Sequence, residues 1–81
     1  MFDNKVILVT GGTGSFGNEF VHQTLNKYKP KKLIIFSRDE MKQWDMEKKF
    51  NDLSKVLRFF IGDVRDKPRL YRALDGVDYV V

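Results

Sequence analysis

The chain has 81 residues, a formal net charge of +4, 42% hydrophobic residues and no cysteine, enough for one small core but below the usual domain size of ~100–150 residues. Lack of cysteine excludes disulfides, thiolate metal sites and thiol nucleophiles, and fits a reducing cytoplasm. No apolar run approaches the ~20 residues of a membrane span, and residues 1–5 have neither the basic leader nor the apolar core of a signal peptide.

Val6-Ile7-Leu8-Val9 reads as a strand over residues 5–9, buried on both faces. Thr10-Gly11-Gly12 stops it, because glycine lets the backbone turn sharply. Phe16, Phe20, Val21, Thr24, Leu25 and Tyr28 then recur at the spacing of one helical face, so a helix is expected over residues 15–28, with Ser15 as a candidate cap or phosphate contact. Pro30 ends that helix and drives Lys29 out of the helical region. Residues 32–36 form a second buried strand. Asp39 and Glu40 suit the start of a second helix, over residues 39–50. Its apolar residues Met41, Trp44 and Met46 are sparse, which predicts an element that covers an edge and stays partly wet.

Residues 51–54 read as a turn and 56–61 as a third strand, closed by Gly62-Asp63-Val64. Asp66-Lys67-Pro68 opens a third helix, with Asp66 as cap and proline in the first turn. Residues 69–74 complete it, Gly76 stops it, and residues 78–81 open a fourth strand. The order β-α-β-α-β-α-β predicts an α/β fold, a Rossmann-type doubly wound parallel sheet with helices on both faces and right-handed crossovers. Because the last strand is left unfinished, the 81 residues are expected to be the N-terminal piece of a longer protein.

The glycine stretch lies between a strand and a helix, the context a dinucleotide fingerprint needs. Its spacing, Gly11-x-x-Gly14-x-x-Gly17, is one residue wider in the first interval than G-x-G-x-x-G. Gly11 would make the tight turn, Gly14 would let the backbone approach a pyrophosphate, and Gly17 would let the helix pack close to the strand. The helix N-terminus would supply N–H groups and partial positive charge to the phosphates. A glycine loop that merely reverses the chain is the plainer alternative.

In this fold the tip of the second strand faces the adenosine ribose, where an acid selects NAD and an arginine accommodates the 2′-phosphate of NADP. Here the tip is Ser37-Arg38, and a guanidinium fork matches a phosphate, so NADP is favoured, with Lys42 one helical turn along adding positive charge. The competing readings make Asp39 the ribose acid, or a helix cap. Asp63 follows the third strand, where its carboxylate can accept from the adenine amino group while Val64 packs on the ring; equally, it can bond its own turn.

Tyr28 and Lys32 make a literal Tyr-x-x-x-Lys, the acid/base pattern of short-chain dehydrogenases. Pro30 breaks the helix between them, and they lie at the far end from the glycine turn. His22 reads as a surface or packing residue. No residue of the chain is assigned a catalytic role, and no metal site is read.

Thr10-Gly11-Gly12-Thr13-Gly14-Ser15-Phe16-Gly17, Phe36-Ser37-Arg38-Asp39-Glu40-x-Lys42-Gln43 and Phe60-Ile61-Gly62-Asp63-Val64-Arg65-Asp66 resemble the extended short-chain dehydrogenase/reductase superfamily. More narrowly they resemble its inverting UDP-N-acetylglucosamine 4,6-dehydratases of bacterial surface-sugar synthesis. The resemblance covers essentially the whole chain. It implies NADP held by Thr13, Gly14, Ser15 and Phe16, by Ser37, Arg38, Asp39 and Lys42, and by Asp63 and Val64. It also implies oxidation at C4 of a UDP-sugar, loss of water across C5 and C6, and return of hydride to C6 with inversion at C5, with no net redox change. The acid/base residues and the sugar-binding region would lie beyond Val81, and the whole enzyme would be a cytoplasmic lyase and a homo-oligomer.

A related nucleotide-sugar epimerase or reductase, or a non-catalytic NADP-binding module, remains as an alternative. Nucleic-acid binding is disfavoured. The lysines are scattered, save for Lys27, Lys29, Lys31 and Lys32, and there is no basic recognition helix or aromatic base platform.

Overall fold

The computed structural model describes residues 2–11, 14–50 and 56–81. Four parallel strands, β1 (Val6–Thr10), β2 (Lys32–Ser37), β3 (Leu57–Ile61) and β4 (Tyr79–Val80), alternate with three helices, α1 (Ser15–Lys27), α2 (Glu40–Lys49) and α3 (Lys67–Leu74). The sheet order is β3-β2-β1-β4. The chain therefore builds outward from β1 to β3 and then crosses back to the other side of β1. The fold is the expected Rossmann-type α/β sheet, and the reversal beside β1 is the switch point at whose carboxyl edge such sheets bind ligands.

The central strands are apolar because both their faces are covered. Ile7, Val9, Leu33, Ile35 and Leu57 share one core with Val21 of α1, Met46 of α2 and Phe50. Leu8, Ile34 and Phe36 point to the opposite face and pack on Ala73 of α3, with Leu70 and Leu74 alongside. Two helices thus cover one face and one helix the other. The register Ile7↔Leu33 and Leu33↔Leu57 keeps the alternation in phase across the sheet. The edge strands depart from the buried pattern: in β3 only Leu57 is buried, and in β4 Tyr79 and Val80 are exposed. Asp78 ties β4 to β1, its carboxylate accepting from the Val6 N–H at 2.8 Å.

Two expectations need correcting, and a third holds. Ser15 is not a helix cap: Gly14 holds that position in extended backbone, and Ser15 is already helical. Phe16 is not on the packed face of α1, being 68% exposed, whereas Gly17, Val21 and Thr24 are buried. In α2, Met41 and Trp44 face outward, and the buried line is Gln43, Met46 and Phe50, at the i, i+3, i+7 spacing of one helical face. The helix stays partly wet, as its sparse apolar residues predicted, and its buried line includes a glutamine. The turn over residues 51–54 lies outside the described residues.

Candidate functional site

The carboxyl ends of β1, β2 and β3 open into a cleft of about 600 Å³, lined by Thr10, Gly11, Phe36, Ser37, Arg38, Asp39, Gly62, Asp63, Val64 and Arg65. Each strand hands over to this cleft in the same manner. Gly11 leaves β1 with φ +62°, a left-handed backbone that glycine adopts at no steric cost, and its N–H donates to the Phe36 carbonyl at 2.9 Å. Gly62 leaves β3, its N–H donating to the Ser37 carbonyl at 2.9 Å. These two bonds tie the ends of β1 and β3 to β2.

Gln43 fastens this edge from below. Its side chain is 3% exposed, and Nε2 donates to the carbonyls of Ser37 at 3.2 Å and Phe60 at 3.3 Å. A buried amide so satisfied stabilises the tips of β2 and β3 together. Sequence reasoning missed this role; the signal was there, since Gln43 shares the helical face of Met46. It also missed the reason for Gly62, where a Cβ would lie 2.9 Å from both Phe36 Cζ and Arg69 Cγ. Phe36 stacks on Phe60, with the Arg69 guanidinium over the Phe60 ring at 4.4 Å, so the floor of the cleft passes close beneath that backbone.

At the rim, Arg38 extends from the tip of β2 with its side chain 70% exposed. Asp39 caps α2, accepting from the Lys42 N–H at 3.0 Å, and its own N–H donates to Ser37 Oγ at 3.1 Å. The cap reading of Asp39 is therefore realised in this structure. Asp63 bonds its own turn, accepting from the Arg65 N–H at 2.9 Å, and its carboxylate also takes the Arg65 guanidinium at 2.7 Å and Arg38 Nη1 at 3.4 Å. The Arg65 hydrogen bonds, above all, hold the Asp63 carboxyl well below the usual carboxylate range, and Asp63 raises Arg65 in return.

Gly14, Ser15 and Lys42 line a neighbouring groove between α1 and α2, with Asn18, Glu19, His22 and Lys49. Of the residues named from sequence, the cleft thus unites Gly11, Ser37, Arg38, Asp39, Asp63 and Val64, and the groove unites Gly14, Ser15 and Lys42. Gly17 is buried inside α1, Phe16 projects into solvent, and Thr13 lies outside the described residues. Tyr28 follows the end of α1 in extended backbone, and its ring packs on Phe2 at 5.3 Å, away from the cleft.

Among the described residues, a Cβ built on Gly14 would meet nothing closer than the Gly11 carbonyl oxygen at 3.9 Å, an ordinary contact that the fold tolerates. The first turn of α1 carries no acidic residue, leaving the positive end of its dipole uncompensated. Among the described residues, no group of His, Cys, Asp and Glu side chains could hold a metal ion.

The family described as "Polysaccharide biosynthesis protein" matches residues 7–81. The chain belongs to this family. Among its relatives is the inverting UDP-N-acetylglucosamine 4,6-dehydratase of Campylobacter jejuni subsp. jejuni, 56% identical over 81 residues, which are all of this chain and 24% of that protein. UDP-glucose 4-epimerase of Rickettsia felis is 46% identical over 83 aligned residues, covering 99% of this chain and 24% of the relative. The X-ray structure of Pen from Bacillus thuringiensis superposes with a TM-score of 0.92 at 37% identity, over 98% of this chain and 25% of that one. This member of the polysaccharide biosynthesis family therefore spans about a quarter of the length of the relatives it matches. No helix among the described residues is long and apolar enough to cross a membrane.

Proposed function

We propose that this chain is the N-terminal, NADP-binding part of a C5-inverting UDP-N-acetylglucosamine 4,6-dehydratase, a cytoplasmic, homo-oligomeric lyase that prepares UDP-sugars for bacterial polysaccharide or glycan synthesis. The observation that carries this reading is the 56% identity, across all 81 residues, to the Campylobacter dehydratase. Within the site, Thr13, Gly14, Ser15 and Phe16 would receive the pyrophosphate, with Gly11 making the tight turn and Gly17 the close helix packing. Ser37, Arg38, Asp39 and Lys42 would receive the phosphorylated ribose, and Asp63 and Val64 the adenine. The exposed Arg38 fork at the tip of β2 favours NADP over NAD. When bound, the nicotinamide supplies a hydride acceptor that is regenerated by returning the hydride. The described residues bind and orient that cofactor. Protonation and deprotonation of the sugar fall to residues outside them.

The epimerase relative, at 46% identity, carries the second reading. Mass spectrometry of the product from UDP-N-acetylglucosamine separates the two, because a dehydratase product has lost one water and an epimerase product has unchanged mass. Unchanged mass with C4 inversion would replace the first reading by the second. For the cofactor, Arg38→Ala is expected to weaken NADP by about 1.5–3 kcal/mol, the range of a hydrogen bond to a charged group, and to leave NAD nearly unchanged. Calorimetric titration of both cofactors checks this, and equal losses would remove the phosphate-clamp role.

A further inference from the structure

The rim of the cleft holds one carboxylate between two guanidinium groups, and the two are not engaged equally. Asp63 Oδ1 accepts from the Arg65 backbone N–H at 2.9 Å and from Arg65 Nε at 3.1 Å. Oδ2 accepts from Arg65 Nε at 3.2 Å and from Nη2 at 2.7 Å. Arg38 reaches the same Oδ2 only through Nη1, at 3.4 Å. A carboxylate has about four lone-pair sites, and Arg65 has taken most of them. Arg38 is left with one long contact and an otherwise exposed fork.

This inference rests on the reading of Arg38 as the 2′-phosphate clamp. We infer that Arg65 is a positioning residue for cofactor choice: by occupying the Asp63 carboxylate it keeps that carboxylate from capturing Arg38, and so leaves the Arg38 guanidinium free for the 2′-phosphate. A planar guanidinium makes a paired, directional bond with a carboxylate. Without Arg65 the same carboxylate pairs with Arg38, and a phosphate then has to displace a bound anion from its own ligand. NAD lacks that phosphate, so its affinity is indifferent to which arginine Asp63 holds. Any contact of Asp63 with adenine is common to both cofactors and cancels in their ratio.

The test is the ratio of NAD to NADP dissociation constants, measured by calorimetry on the full-length protein. Arg65→Ala is expected to lower the preference for NADP about twofold to fivefold, the scale of an exposed ion pair. Arg65→Lys keeps the charge but not the fork, and is expected to restore only part of the preference. In an Asp63→Asn background, where no carboxylate competes for Arg38, Arg65→Ala is expected to leave the ratio where Asp63→Asn set it. If Arg65→Ala leaves the ratio unchanged while Arg38→Ala collapses it, the positioning role is overturned and the clamp stands. If Arg65→Ala lowers the ratio equally with Asp63 or Asn at position 63, Arg65 acts on the phosphate directly and the inference is overturned. If Arg65→Lys matches the unmodified protein, net charge rather than the held carboxylate sets the preference, and the positioning role is again overturned. If Arg38→Ala leaves the ratio unchanged, the clamp reading fails and takes this inference with it.

Discussion

The three helices begin in two different ways. α2 and α3 each start with an aspartate whose carboxylate accepts from the backbone: Asp39 from Lys42 N–H at 3.0 Å and Asp66 from Arg69 N–H at 3.3 Å. α1 starts at Gly14, with no side-chain cap and no acid in its first turn. A cap satisfies amide donors that the helix leaves unpaired and stabilises it by about 1 kcal/mol. α1 makes no such side-chain bond, in a chain that makes it twice elsewhere, and an uncapped helix end of this kind is suited to an external anion. The glycines divide in the same way. Gly62 is demanded by its neighbours in the fold, whereas among the described residues a Cβ on Gly14 would make only an ordinary contact, 3.9 Å from the Gly11 carbonyl oxygen.

Breaking the ligand side of this comparison gives the largest effect. Gly14 has φ −80° and ψ −174°, which valine adopts without strain. Gly14→Val therefore keeps the fold apart from a capping loss of at most about 1 kcal/mol. Its branched side chain fills the space a pyrophosphate would enter. Affinity for both NADP and NAD is expected to fall by about 2–3 kcal/mol, roughly 30- to 150-fold. Titration of a variant with unchanged circular dichroism checks this; unaltered affinity would show that the turn serves the chain alone.

Gly62→Ala breaks the fold side. Its Cβ would stand 2.9 Å from Phe36 and Arg69, and the Phe36 ring is fully buried and cannot retreat. A destabilisation of about 1–2 kcal/mol is expected, read as a lower urea midpoint at unchanged slope. Asp66→Ala is the smaller change on the same side, expected to cost about 1 kcal/mol of stability as a lost cap, with cofactor affinity untouched. A cofactor effect from Asp66→Ala as large as that from Gly14→Val would erase the distinction between the two kinds of helix start.

This distinction was partly legible in the sequence. Apolar runs of strand length fixed β1, β2 and β3, and Asp66-Lys67-Pro68 announced α3 with its cap, because these signals are local. The partly wet character of α2 was legible in its sparse apolar residues, with Met41 and Trp44 exposed, whereas the inward turn of Gln43 was not. The reason lies in the third dimension: the carbonyls that satisfy Gln43 belong to two different strands, and no local pattern reports them. The site followed the same rule. Gly11, Arg38 and Asp63 were visible as strand-end residues, whereas the closer pairing of Asp63 with Arg65 than with Arg38 depends on the turn geometry after β3.

The smallest expected effect concerns pH. The Arg65 side-chain hydrogen bonds, followed by the Arg65 backbone N–H, hold the Asp63 carboxyl well below its ordinary 3.8 against the opposing effect of burial. A depressed carboxyl contributes stability that is fully present above its unfolded value and is lost as pH falls through the folded one. The difference in urea midpoint between the unmodified protein and Asp63→Asn should therefore stay constant from pH 8 to about 5 and shrink only below 3.8. The same charge state makes NAD affinity flat across that neutral range, since Asp63 and Arg65 keep their charges. NADP differs, because a phosphate monoester gains a proton near about pH 6. Its advantage over NAD should narrow below that pH through the ligand and not through the protein. A step in NAD affinity between pH 5 and 8 would reveal another titrating group at the rim and would remove Asp63 from the role of a permanently charged partner to the two arginines.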